Sequence, residues 1–210
     1  MISSLTLQLR ILVIHDFNAS FLLNVTWIET HTSHHKNHSS YNKTETAKLG
    51  NKLSPKKLHH APMVELYSPT DSSSLSSITP QNNLVITMTD PDAKSSEMCH
   101  WIGIGLPVEI DDDEITSMSH KHNFTNGIHD VVSYLAPSPP PKTGKHRYVF
   151  LAFRPANGTN EPLHLVKPES RQHWGMGSSG SHGGSKGVRQ WAEMNGLIPI
   201  GKFFRTLCGV

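Results

Sequence analysis

Cysteine is nearly missing. Cys99 and Cys208 are the only two in 210 residues, which excludes a disulfide framework and a cysteine-built zinc site. No apolar run approaches the roughly 18 residues that suggest a membrane-spanning helix. Charge of one sign is wanting too. Nineteen Lys and Arg face 17 Asp and Glu, for a formal net charge of +2, so the chain lacks the basic footprint of a general nucleic-acid binder. The 15 glycines and 14 prolines follow no collagen period, and 36% hydrophobic residues is too many for a wholly disordered chain. What remains is enough chain for one domain with its own core.

Met1 to Ile14 carries Gln8 and Arg10 inside its apolar stretch and no small-residue cleavage site follows, so it reads poorly as a signal peptide. Six N-glycosylation-type triplets begin at Asn18, Asn24, Asn37, Asn42, Asn123 and Asn157. They matter only in a secreted chain. The expectation is chance occurrence and a cytoplasmic protein, with secretion left open.

The most abundant unusual residue is histidine, with 15 copies. Strand signals recur along the chain. Residues 20–28 (SFLLNVTWI), 63–67, 84–89 (LVITMT), 99–106 (CHWIGIGL) and 198–207 all read as strands. Residues 147–153 (RYVFLAF) are the strongest, apolar enough for burial on both faces. Between them lie a polar, His-rich stretch at about 29–62, a loop-rich stretch at 107–147, and a Gly/Ser-rich stretch at 170–187. Val188 to Asn195 places Val188, Trp191 and Ala192 on one side of a short helix that Gly196 terminates. Short strands, long loops and one clear helix predict a mainly β fold with antiparallel pairing. The expected organisation is an N-terminal extension at 1–10 and a single domain at 11–210.

Polar clusters adjoin these strands. Asp90-Pro91-Asp92-Ala93 follows LVITMT, His100-Trp101 opens the next strand, and the run from Tyr134 to Tyr148 leads into the strongest one. A carboxylate, two imidazoles and a phenol at strand ends can converge on one small pocket. There His and Tyr can donate to a phosphate or carboxylate while the Asp orients an imidazole. Taken singly, each of these residues is more simply a partner for turn backbone.

Taken in order, the motifs are more specific. D-P-D-A at 90–93, C-H-W at 99–101, Y-x-x-P-x-P-P at 134–140 and G-K-H-R-Y-V-F at 144–150 resemble the phosphatidylethanolamine-binding protein family, in its fungal branch similar to the carboxypeptidase Y inhibitor. Val13 to Phe17, Leu22 to Trp27, Leu49 to Leu53, Gly187 to Ala192 and Asn195-Gly196-Leu197 agree with that branch. The resemblance implies a central antiparallel sheet, a smaller flanking sheet and one or two short helices. It implies an anion pocket of Asp90, His100, Pro140, His146 and Tyr148, with Ala136 and Ser138 on the rim. Pro91, Asp92 and Trp101 would support it, and Asp90-Pro91 would be a cis bond. Lys94 stands where the family usually has proline, and the 90–100 stretch is several residues shorter than usual.

Other patterns carry less. Gly175 to Gly180 fits G-x-G-x-x-G but no strand precedes it. Gly183 to Gly187 fits G-x-S-x-G, yet no histidine follows His182 to complete an in-order triad. His31, His34, His35 and His38 have helical zinc spacing, but Thr, Ser and Asn among them favour a solvated loop. The acidic run Asp111 to Glu114 reads as a solvated turn. No cofactor, metal or catalytic nucleophile is therefore expected. The leading expectation is a non-enzymatic binding protein for a phospholipid head group, phospho-residue or other small anion. A serine carboxypeptidase or a kinase is the implied protein partner, with neither nucleic acid nor a membrane span involved. The alternatives are a small-molecule hydrolase or esterase using the Asp/His pocket, and a scaffold whose pocket has degenerated.

Overall fold

Period-two burial builds this molecule. The computed structural model describes residues 21–32, 40–48, 50–67, 84–94, 97–105, 108–109, 121–123, 128–159, 161–174 and 187–208. Along Leu84–Asp90 (β5), Leu84, Ile86 and Met88 enter one core while Val85 enters another. Along His146–Pro155 (β10), Tyr148, Phe150 and Ala152 join the first core, and Leu151 and Phe153 the second. Both strands are thus covered on both faces, as their near-continuous apolar character predicts. Each large side chain so enclosed contributes about 1.5–3 kcal/mol relative to exposure.

The remaining strands are β1 (Phe21–Thr32), β2 (Ser40–Thr46), β3 (Lys52–Leu53), β4 (Met63–Tyr67), β6 (Met98–Gly105), β7 (Val108–Glu109), β8 (Lys121–Asn123), β9 (His129–Val132) and β11 (Leu197–Cys208). They join one mixed ladder in the order β7-β8-β4-β1-β11-β10-β5-β6-β9, with β2 on β1 and β3 on β11. The β1·β11 and β3·β11 pairs are parallel, and the others are antiparallel. The expected smaller sheet is the wing of β2, β1, β4, β8 and β7. It curls over the larger wing so that Val25, Trp27, Val64 and Leu66 meet Ile86, Met88, Tyr148 and Phe150 in one core. The mainly β class therefore holds.

The second core lies beneath α1 (Gly187–Met194), whose Val188, Trp191 and Ala192 are buried beside Trp174 and Leu197. Gly196 ends the helix with φ +62° and its N–H donates to the Glu193 carbonyl at 3.1 Å. Only glycine takes that backbone conformation without steric cost.

Three expectations change. The polar stretch 29–62 is not a loop throughout: β1 runs on to Thr32 and β2 returns along it. Thr26 faces Thr46 and Glu29 faces Lys43 across this hairpin, pairs that stabilise a polar ribbon without any apolar alternation. His31 therefore lies in a strand, which excludes a helical zinc motif there. Short strands β7, β8 and β9 interrupt the stretch 107–147. The Asp90–Pro91 bond is trans, since the described residues contain no cis peptide. Residues 1–20, His34, His35, His38, Asp111 to Glu114 and the glycine-rich patterns from 175 to 186 lie outside the described residues.

Candidate functional site

Antiparallel pairing gathers the site. Because β5 runs antiparallel to both β6 and β10, its C-terminal end lies beside the N-terminal ends of both. Asp90 shares a face with Met88, and His146 with Tyr148, by strand alternation. His100 arrives differently. Met88 faces Trp101 but the next residue, Thr89, faces Cys99. His100 is thus the extra residue of a β-bulge, a device that re-aims a side chain locally. Asp90, His100, His146 and Tyr148 meet at this sheet end, each only 1–3% exposed.

Hydrogen bonds assign the protons. Asp90 Oδ2 lies 2.7 Å from His146 Nδ1, and Asp90 Oδ1 accepts from the Asp92 N–H at 2.8 Å. His146 Nε2 lies 2.9 Å from Thr143 Oγ1, which donates its only proton to the Pro140 carbonyl at 2.7 Å. Nε2 must therefore be the donor to Thr143. One further proton is shared between His146 Nδ1 and Asp90. The connectivity resembles a nucleophile–imidazole–carboxylate triad, but an Nε2 that already carries a proton cannot remove one from Thr143. His100 Nδ1 donates to the Leu135 carbonyl at 2.8 Å, and the Leu135 N–H donates back to the His100 carbonyl at 2.8 Å. The His100 ring meets Tyr148 edge to face, centroids 5.0 Å apart.

Electrostatics follow burial. Desolvation pushes His100 below its ordinary value, and the Arg171 and His146 charges add to this. The Leu135 hydrogen bond and Asp90 oppose the fall without cancelling it. Asp92 is half-covered, which alone would raise its value. Its side-chain and backbone bonds from Arg147, at 2.7 and 2.8 Å, win and hold it low. Glu97 is pushed up to about 7, chiefly by burial and also by nearby Asp90, against the bonds it accepts from Thr89 and Val188. Burial also drives the Cys99 thiol to about 12, which makes it inert as a nucleophile.

The sequence-predicted residues divide by position. Asp92 accepts from the Arg147 backbone N–H and Nε–H at 2.8 and 2.7 Å. Pro91 is half-buried in the turn after β5, Ala136 is half-buried, and Ser138 and Pro140 are exposed. Trp101 sits in the first core, its ring 6.0 Å from Tyr134 and its Nε1–H on Asp130 at 2.8 Å. The hydrogen bonds within the protein engage both imidazoles. His146 spends both nitrogens on Asp90 and Thr143, and His100 spends its proton on Leu135. Sequence reasoning missed Thr143, Leu135, Arg147 and Arg171. Arg171 donates to the Cys99, His100 and Ser133 carbonyls at 3.4, 3.1 and 2.7 Å and so clamps the bulge. Arg147 lies inside the G-K-H-R-Y-V-F motif but its partner is 55 positions away, and the other three act through backbone carbonyls that no local pattern marks. A separate cavity of about 160 Å³, lined by Cys99, Ser133, Lys167, Glu169 and Arg171 among others, includes none of the predicted residues.

A curled mixed sheet whose buried Asp–His pair sits beside a second histidine and a tyrosine defines a distinct class of β protein. The chain belongs to the phosphatidylethanolamine-binding protein family, whose model matches residues 39–198. An uncharacterized protein of Saccharomyces cerevisiae is 32% identical over 168 residues, covering 77% of this chain and 76% of its own. The carboxypeptidase Y inhibitor of the same yeast is 28% identical over 184 residues, 78% of this chain and 80% of its own. Among solved structures, that of carboxypeptidase Y inhibitor complexed with its cognate proteinase aligns with a TM-score of 0.69 at 22% identity, over 98% of this chain and 91% of that one. The phosphatidylethanolamine-binding protein from Plasmodium vivax aligns at 0.54 and 15% identity, over 97% and 93%. These two likenesses establish the fold.

Proposed function

We propose that the chain is a non-enzymatic binding and inhibitory protein with a small oxyanion site at the shared end of β5, β6 and β10. The observation that carries this reading is the convergence there of Asp90, His100, His146 and Tyr148, all buried. Burying four polar side chains in one place is costly unless they are satisfied or have a ligand. His100 and Tyr148, packed edge to face at the sheet end, line the proposed site. Lys142 and Lys145, both exposed on the 133–145 loop, add positive potential at its mouth. The ligand is a phosphate-bearing group, from a phospholipid head or a phosphorylated side chain. The likeness to the carboxypeptidase Y inhibitor supports a second role, inhibition of a serine carboxypeptidase through the protein surface.

The two roles separate experimentally. Titration with inorganic phosphate is expected to move the His100 ring resonances without turnover of any ester in a panel. Phosphatidylethanolamine vesicles and a phosphoserine peptide then distinguish the sources of the phosphate. Ester turnover that is lost in Asp90→Asn would overturn the binder reading in favour of a hydrolase. Carboxypeptidase activity unchanged at micromolar protein would remove the inhibitor role alone.

A further inference from the structure

The cleft of about 160 Å³ opens on the opposite face of the sheet from Tyr148. Cys99 and Val132, which line it, belong to the second core, whereas Tyr148 belongs to the first. Its outer wall is the segment 167–171, and that segment is pinned at both ends. Val166 accepts from the Trp191 Nε1–H and donates to Asn195 Oδ1, both at 2.7 Å, which fastens one end to α1 and the residue after it. Arg171 donates to the Cys99 and His100 carbonyls and to Ser133, which fastens the other end to β6 and to the residue after β9. A wall held in this way stands before any ligand arrives, so little ordering entropy is lost on binding.

The lining carries both signs of charge. Lys167 and Arg171 are positive and Glu169 is negative. Among the described residues, the Lys167 and Glu169 side chains have no hydrogen-bond or ion-pair partner. Arg171 gives its terminal N–H groups to the protein, so it contributes charge rather than donors. Ser133 Oγ accepts from Arg171 at 3.1 Å and therefore keeps its own proton to donate. Cys99, Val132 and Pro168 complete the lining with apolar surface. The volume falls below the about 300–1,000 Å³ of drug-sized sites, which restricts the ligand to a small one. A simple anion would meet Glu169 with like charge, and a simple cation would meet Lys167 and Arg171.

From this lining we infer that the cleft binds a small zwitterion of the α-amino acid class. Lys167 and the Ser133 hydroxyl take its carboxylate, Glu169 takes its ammonium, and Cys99, Val132 and Pro168 take an apolar side chain. The cleft shares no side chain with Asp90, His100, His146 and Tyr148, so the two sites stand or fall separately.

The test is calorimetric titration of the full chain at pH 6.5 with L-valine, with N-acetyl-L-valine, which lacks the ammonium, and with L-valinamide, which lacks the carboxylate. L-Valine is expected to bind at least about threefold more tightly than either, the scale of one exposed ion pair. Glu169→Gln should abolish the advantage over N-acetyl-L-valine, and Lys167→Ala the advantage over L-valinamide. Both residues are exposed, so both variants should fold. Equal affinities in the parent protein, an advantage that survives both substitutions, or failure of all three compounds to bind would each overturn the inference. Inorganic phosphate titrated into the same preparations reports the oxyanion site independently and should be unmoved by either substitution. A phosphate affinity that falls in step with that for L-valine would merge the two sites and equally overturn it.

Discussion

Glu97 is the residue with the plainest energetic consequence. Its carboxylate accepts from Thr89 Oγ1 at 2.6 Å and from the Val188 N–H at 3.2 Å, and so caps α1 from a distant part of the chain. A Cβ on Gly187 would collide with this carboxylate, so the glycine, at φ +54°, is required twice over. A carboxyl group raised by folding holds its proton more tightly in the native state. Stability is therefore undiminished below about pH 4.5 and falls until about pH 7. The displacement from 4.5 to about 7 corresponds to about 3 kcal/mol. His100 acts oppositely: its depressed value means stability declines as pH drops below the ordinary histidine range. Urea unfolding of the parent and Glu97→Gln at pH 5 and pH 8 isolates the carboxyl. The variant should gain stability relative to the parent at pH 8 and little at pH 5, and an unchanged difference would refute the assignment. For the buried pair, Asp90→Ala strands His146 and is expected to cost about 3 kcal/mol or more by the same measurement.

At the scale of elements, the 133–145 loop is held by a strut rather than by regular structure. Tyr134 accepts from the Trp27 Nε1–H at 3.1 Å and donates to the Leu58 carbonyl at 2.9 Å, tying the loop to β1 and to the turn after Pro55–Lys57. The adjacent Leu135 then orients His100. Tyr134→Phe should preserve the fold, speed hydrogen exchange at the Leu135 amide several-fold, and weaken phosphate binding in step. Unaltered exchange would show that the loop is positioned by other contacts. The helix obeys a simpler rule. Gly196→Ala should cost about 1 kcal/mol, because alanine is strained at φ +62°.

Over the whole molecule, the proposed oxyanion site and the proposed protease-inhibiting surface are expected to be separable. The site is a buried polar cluster at one sheet end, whereas inhibition in a protein of this family would act through exposed surface. His100→Gln is accordingly expected to weaken phosphate binding while leaving carboxypeptidase inhibition within about twofold, read in the same protein preparation. Parallel loss of both functions would place the site inside the protease interface. The curl of the sheet fits this separation, since β1 and β4 cover the core face of β5 and β10 and leave the site at the margin of that cover.

Much of this protein is determined locally. The apolar runs of β4, β5, β6 and β10, the helix from Gly187 with its glycine stop, and the family motifs around Asp90, His100 and His146 are legible because each depends on near neighbours in the chain. The polar end of β1 and the whole of β2 were illegible because their stability comes from pairing polar residues distant in the chain, as Glu29 with Lys43. The bulge at His100 depends on the register of β6 against β5, which no single strand encodes. Proton placement lay further still from the sequence. It emerges only when the Leu135 and Pro140 carbonyls and the Thr143 hydroxyl come within hydrogen-bonding distance, and that proximity is a product of tertiary packing. Residue type named the groups; their assembly decided which could donate and which could accept.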